Sequence, residues 1–229
     1  MPFSEATLDF MALNRVMNSR DWFHEHRSEY LSLVVEPTAE LVQALAPEMS
    51  RIDPALVIDP RVGKSISRLW RDTRRGPELP LYRDVLWINL RRAKYEGYPG
   101  FWFEFSPRRL RWGCGWYQTD PATMDCARDL IKSRDPDWLA AYAVYEAQDV
   151  FALEDERYKR TRHPDAPENE REWLDEKSFC LTHEENSLDL LCSEELPHRL
   201  AADFERIAPV YDFFLKAVAM AKLSNRLWA

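Results

Sequence analysis

A chain of 229 residues with 45% hydrophobic and 31% charged side chains is long enough to bury a core, and nine tryptophans within a 13% aromatic content exclude an intrinsically disordered protein. No window approaches the roughly 18 consecutive apolar residues of a membrane span, and the opening MPFSEATLDFMALNR carries acids early and no basic leader. The expectation is a cytoplasmic protein with no membrane contact. The net charge of −8 conceals a division: residues 61–111 hold 13 basic and 5 acidic side chains, whereas residues 1–60 hold 4 and 10 and residues 112–229 hold 14 and 24. Acidic segments on both sides of a basic one disfavour nucleic acid as a partner, because phosphate attraction acts through the summed field of the molecule. The cysteines at 114, 126, 180 and 192 lack Cys-x-x-Cys spacing and are too sparse for a disulfide scaffold, so they read as reduced thiols, mostly buried.

The first 50 residues show helical periodicity. Ser4 can cap a helix with apolar residues Leu8, Met11, Ala12 and Val16, and Asn18 can cap a second helix beginning SRDWF. In that second helix Trp22, His26 and Tyr30 recur at four-residue steps, with Phe23 beside them, predicting one aromatic stripe turned inward. Pro37 suits the first turn of a further helix carrying Leu41, Leu45 and Met49, and RIDPALVIDPRVGK closes the region as a loop.

From 64 to 117 the period falls to two. Ile66, Arg68 and Trp70 alternate with Ser67, Leu69 and Arg71; Leu86, Ile88 and Leu90 form a second run, Phe101, Phe103 and Phe105 a third, and Leu110, Trp112, Cys114 and Trp116 a fourth. SPRR between the last two reads as a hairpin turn. Gly113 and Gly115 lie opposite the fourth run's apolar face, where bare backbone admits either a packed element or a ligand floor. TMDCARDLIKS and DPDWLAAYAVYEAQ return to helix, KRTRHPDAPENERE is a polar loop, WLDEKSFCLT includes a short strand, and the terminal helix is interrupted at Pro209. The fold class expected is α+β, a single domain with an antiparallel sheet of about four or more strands packed against N- and C-terminal helices.

The segments NSRDWFHEHRSEYLSLVVEP, SISRLWRDTRR, RWGCGWY, RYKR, WLDEKSF and APVYDFFLKA occur in that order, and this order resembles the domain-of-unknown-function 2461 family over nearly the whole chain. The Asn-x-Arg-x-Trp-Phe helix start and the Arg-Asp-x-Arg run carry the resemblance. It implies a single α+β domain and supplies no reaction. After Arg-Asp-x-Arg the family pattern continues with Phe-Ser, lysines and Pro-Tyr-Lys; here Tyr82 and a base at Arg83 persist, while the Phe, the Ser and the lysines are absent.

The sharpest chemical candidate is the set Arg68, Arg71, Asp72, Arg74, Tyr82 and Arg83. Strand alternation sends Arg68 and Arg71 to opposite faces, but a turn near Asp72 can gather Arg71, Arg74 and Arg83 around a phosphate or carboxylate, with Asp72 orienting one arginine and Tyr82 offering a hydroxyl. The structural alternative has these arginines pairing with Asp21, Glu25 and Glu29 of the helices. Arg91, Arg92, Lys94, Tyr95 and Tyr98 form a weaker basic-aromatic patch of the kind that solvated hairpins carry. His24 and His26, two apart on a predicted helix, point away from each other, and no metal or cofactor is expected. There is no Gly-x-Ser-x-Gly elbow and no Gly-rich phosphate loop, so whether the chain is an enzyme stays open. Three functions follow in order: a binding or regulatory domain for an anionic small molecule or phosphorylated ligand, an interaction module whose basic strand meets an acidic protein, and a hydrolase or nuclease built on Asp72 and arginine.

Overall fold

In the computed structural model, which describes residues 3–76, 78–93, 97–154 and 157–227, the fold is α+β with a five-stranded antiparallel sheet. Helices α1 (Glu5–Met17), α2 (Arg20–Glu25), α3 (Arg27–Tyr30) and α4 (Glu36–Ile52) precede strands β1 (Leu86–Arg91), β2 (Gly100–Phe105) and β3 (Leu110–Gly115). Helices α5 (Pro121–Lys132) and α6 (Pro136–Glu146), strand β4 (Ala152–Leu153), helix α7 (Glu168–Leu174), strand β5 (Cys180–Glu185) and helices α8 (Leu196–Arg206) and α9 (Ala208–Leu227) follow. The sheet order is β1-β2-β3-β5-β4, and β4 pairs antiparallel with β5 through Ala152 opposite Thr182. No described helix is long and apolar enough to cross a membrane.

Two compact units divide the chain. The first comprises Met1–Leu90, Trp102–Trp112 and Glu184–Ala202; the second comprises Arg91–Phe101, Gly113–His183 and Asp203–Ala229. In the first, Leu41, Leu45 and Met49 of α4 are buried at the four-residue spacing expected of a helix face turned to a core, and Phe3 packs edge-on against Phe105, 4.8 Å between centroids. The second unit is built around α9, which packs against α5 and α6 and supplies Phe213 and Phe214 to Trp138, Trp116 and Phe179.

Several helix boundaries differ from the sequence reading for local reasons. Asn18 is the left-handed C-cap of α1 (φ 46°), and Ser19 caps α2 instead, its hydroxyl accepting from the Trp22 N–H at 3.3 Å. The predicted aromatic stripe breaks at His26, where α2 ends; Phe23 and Tyr30 are buried, while Trp22 stacks on His26 at 4.0 Å and both are half-buried. Pro37 falls in the first turn of α4, as expected, where its missing N–H is not needed, and a π-turn over Leu31–Val35 joins α3 directly to α4. ENERE of the expected loop belongs to α7, and Pro209 sits in the first turn of α9, separated from α8 by a break at Ile207.

Within the strand region the SPRR turn is present: the Ser106 N–H donates to the Arg109 carbonyl at 3.1 Å, and the Ser106 hydroxyl accepts from the Arg108 and Arg109 N–H groups. The run at 66–70 is not a full strand. Ile66 and Leu69, three apart, are both buried, so strict alternation fails between them. What remains is a loose antiparallel hairpin with bridges Ile66 to Ile88 and Trp70 to Tyr82, a single 3₁₀ turn over Thr73–Arg75 lying in the connection that closes it.

Candidate functional site

The hairpin register decides where the arginines fall. Trp70 stands opposite Tyr82, with the Arg71 N–H bonded to the Leu81 carbonyl at 2.7 Å and the Arg83 N–H to the Leu69 carbonyl at 2.8 Å. Arg71 is thus opposite Leu81 and Arg83 opposite Leu69, which makes Arg71 and Arg83 diagonal neighbours on one face of the hairpin. The hairpin is held to the first helices by the Asn18 side-chain oxygen, which accepts from the Leu81 N–H at 2.7 Å, and by Phe23, whose ring stacks on Tyr82 at 4.9 Å. A helix cap thereby doubles as the strut that positions the arginine segment.

The six candidate residues separate into two groups. Asp72 and Arg74 satisfy each other: Nε donates to Oδ1 at 2.8 Å and Nη2 to Oδ2 at 2.7 Å, while Asp72 also caps the 3₁₀ turn by accepting from the Arg74 N–H. Hydrogen bonding to Asp72 raises the Arg74 guanidinium above its ordinary value, and Arg74 points into solvent with 87% of its side chain exposed. Arg74 is therefore neutralised by its own neighbour two residues back, and does not join Arg71 and Arg83 as the sequence had suggested.

Arg71 and Arg83 are different. Among the described residues neither guanidinium forms an ion pair, and the Arg71 Nε is buried without a hydrogen-bond partner. Arg83 donates to the backbone carbonyls of Arg68 at 3.0 Å and Trp70 at 3.3 Å and stacks over the Trp87 ring at 5.0 Å. Burial, and then the positive charge of Arg71, hold the Arg83 guanidinium below its ordinary value. Arg68 is exposed and lies over the Trp70 ring at 5.5 Å. The expected pairing with Asp21, Glu25 and Glu29 does not form; none of these arginines has a carboxylate partner from α2 or α3 among the described residues. Tyr82 is buried, and burial raises its phenol above the ordinary value against the opposing charge of Arg20.

Four other arginines of this region are matched to acids: Arg61 with Asp59, Arg108 with Asp84, and Arg109 and Arg111 with Glu184. At the fourth run, Gly113 is buried, and Gly115 (φ +143°) is met by the protein's own backbone: a Cβ there would stand 2.3 Å from the Phe179 carbonyl oxygen. The bare backbone at Gly115 thus serves strand approach. His26 spends Nδ1 on the Trp22 carbonyl at 2.8 Å. In the second basic patch Arg92 lies over Tyr98 at 5.3 Å, while Lys94 and Tyr95 are outside the described residues.

A family model described as conserved hypothetical protein (DUF2461) matches residues 6–213. The chain belongs to the DUF2461 family. No curated protein matches it. The span matched in this DUF2461 protein runs from α1 into α9 and contains the whole arginine hairpin with its Asn18 strut.

Sequence periodicity could not have found the partners that tune this site. Asn18 carries an ordinary cap signature, and its bond to Leu81 spans 63 positions. Trp87 sits on a strand, and only the fold sets it under Arg83. Behind the hairpin, Asn14 of α1 is fully buried with neither amide atom bonded among the described residues, and the Tyr30 hydroxyl is likewise buried and unbonded, its pKa pushed up to about 12 by burial against the charge of Arg27.

Proposed function

We propose that this DUF2461 protein is a binding domain for an anionic small molecule or phosphorylated ligand, and that Arg71 and Arg83 receive the anion. The observation that carries the reading is the juxtaposition of two guanidinium groups, one with a buried unbonded Nε, without a carboxylate between them among the described residues. Like charges held close together cost free energy in the unliganded molecule, and an oxyanion relieves that cost while taking paired hydrogen bonds from planar guanidinium forks. Asp72 supports the site indirectly. By neutralising Arg74 and capping the 3₁₀ turn it fixes the chain just beyond Arg71. Both Asp72 oxygens face the Arg74 guanidinium, so a hydrolytic role for Asp72 has no support in this arrangement.

The test is calorimetric titration of the full chain with inorganic phosphate, pyrophosphate and sulfate at matched ionic strength. Wild type and Arg74→Ala bind at least one of these anions with similar affinity, and Arg71→Ala loses at least about tenfold, the equivalent of one charge-assisted hydrogen bond to the anion. Arg83→Lys keeps the charge but not the fork and falls between. Equal binding by wild type, Arg71→Ala and Arg83→Lys overturns the proposal.

A further inference from the structure

A second concentration of positive charge lies in the other unit, around Tyr158. The stretch RYKRTRH, residues 157–163, runs beside the end of α7: the Tyr158 N–H donates to the Asp175 carbonyl at 3.0 Å, and the Arg162 N–H donates to Asp175 Oδ1 at 2.9 Å. Three cations surround the Tyr158 ring, with the Arg162 guanidinium 3.6 Å, the Arg128 guanidinium 5.8 Å and the Lys177 ammonium 6.0 Å from its centroid. One of the three is fixed from behind: Arg128 is buried and donates to the carbonyls of Leu174 at 3.0 Å and Glu176 at 2.7 Å.

Among the described residues, the acids bonded to this cluster are already engaged. Asp125 pairs with Arg128, Glu172 and Glu176 take Arg157, and buried Asp175 is held by the Arg162 N–H and the Thr161 hydroxyl. Lys132, Lys159, Arg160, Arg162 and Lys177 are exposed, and none of them forms an ion pair with a described residue. A tyrosine face attracts one cation by its quadrupole; Asp125 offsets Arg128, and Arg162 and Lys177 are left without an ion pair among the described residues. His163 senses the excess: burial, then Lys132, and behind it Arg128 and Arg162, depress its imidazole below the ordinary value, with Asp175 alone opposing.

We propose that the Tyr158 cluster is a binding site for a dianionic oxyanion of the phosphate class, held by Arg162 and Lys177 beside the ring, with Lys132 supplying further positive charge. A carboxylate would balance only one of these cations, whereas a phosphate or sulfate dianion offers two charges and several acceptor oxygens to donors on separate elements. The site does not depend on the arginine hairpin, and its residues belong to a polar loop and helix ends that the function proposed above leaves unused.

His163 is the built-in reporter. In the full chain its imidazole resonance, assigned by its disappearance in His163→Gln, is followed from mildly acidic to mildly alkaline pH in sulfate and in chloride at equal ionic strength. Sulfate, which keeps both charges throughout, raises the His163 pKa by about one unit, the ordinary effect of an opposite charge a few ångströms away; inorganic phosphate at neutral pH shifts the same resonance. Lys177→Met and Arg162→Ala each reduce the response several-fold, and Arg71→Ala leaves it intact. An unchanged His163 titration in sulfate, an equal rise in chloride, or a full response in Lys177→Met, whose lysine makes no hydrogen bond, overturns the proposal.

Discussion

Replacing Gly115 by alanine is expected to cost about 3–7 kcal/mol, a large share of the roughly 5–15 kcal/mol by which a domain is stable. The backbone at Gly115 has φ +143°, a region side-chain-bearing residues rarely adopt, and holding alanine there costs about 1–3 kcal/mol. The new Cβ would also stand 2.3 Å from the Phe179 oxygen, 2.7 Å from the Cys180 Cα and 3.0 Å from the Phe179 carbonyl carbon. All three are backbone atoms and cannot swing aside. Moving them stretches the bond from the Trp116 N–H to the Phe179 carbonyl, now 2.9 Å, and displaces buried Phe179 from Phe214, adding about 1–3 kcal/mol for overpacking and about 1 kcal/mol for the bond. Gly97 is the control: its φ is +70°, but the nearest atom to an added Cβ is Asp120 Oδ2 at 4.0 Å, so Gly97→Ala costs only about 1–2 kcal/mol of backbone strain. Urea unfolding monitored by tryptophan fluorescence compares the two midpoints. If Gly115→Ala unfolds within about 1 kcal/mol of wild type, the close strand approach is wrong.

Two further substitutions probe buried polarity and ion pairing. Asn14→Leu exchanges a fully buried amide with no bonded partner among the described residues for a hydrocarbon of similar size, and is expected to stabilise by about 1–3 kcal/mol, raising the thermal midpoint by several degrees; a fall in the midpoint shows that the amide has a partner. Asp135 caps α6 and is bonded by the Lys216 ammonium of α9 at 2.7 Å, which lowers its carboxyl below the ordinary value. A depressed folded-state pKa contributes stability that is present above the unfolded value, near 3.9, and is lost as pH falls through the folded one. Acid titration of the unfolding free energy is therefore shallower in Asp135→Asn than in wild type, and identical acid slopes refute the pairing.

The α+β class, the SPRR turn and most helix faces are legible in the sequence because each rests on local periodicity or capping chemistry. Leu86, Ile88 and Leu90 alternate in the sequence and are buried in the sheet for the same reason. The 66–70 run shows where that logic stops: alternation predicts a strand, but the inward turn of both Ile66 and Leu69 leaves isolated bridges in place of a ladder. Strand β4 has two residues and no period to detect. The charge segregation marks the segment that holds the arginine hairpin, whereas the identity of the neutralised arginine did not follow from it. Asp72 lies one residue from Arg71 and two from Arg74, and the 3₁₀ turn after it decides in favour of Arg74.

That allocation gives a way to separate a binding arginine from a scaffolding one. Arg61, Arg74, Arg108 and Arg109 each have an acid within ion-pair distance, so their positive charges are compensated inside the molecule. Arg71 has no acid among the described residues, a buried Nε without a bond, and the charge of Arg83 beside it, all of which oppose folding. A side chain retained for structure should do the reverse. Arg71→Met keeps the length and the apolar stem of the side chain while removing the charge and the unbonded donor, and is expected to leave stability equal to wild type or about 1 kcal/mol higher. Its anion response in calorimetry is lost at the same time, the opposite signs expected where a destabilising group is kept for function. Should Arg71→Met lower the unfolding free energy by more than about 1 kcal/mol, Arg71 is part of the scaffold, and the hairpin's positive charge needs a different explanation.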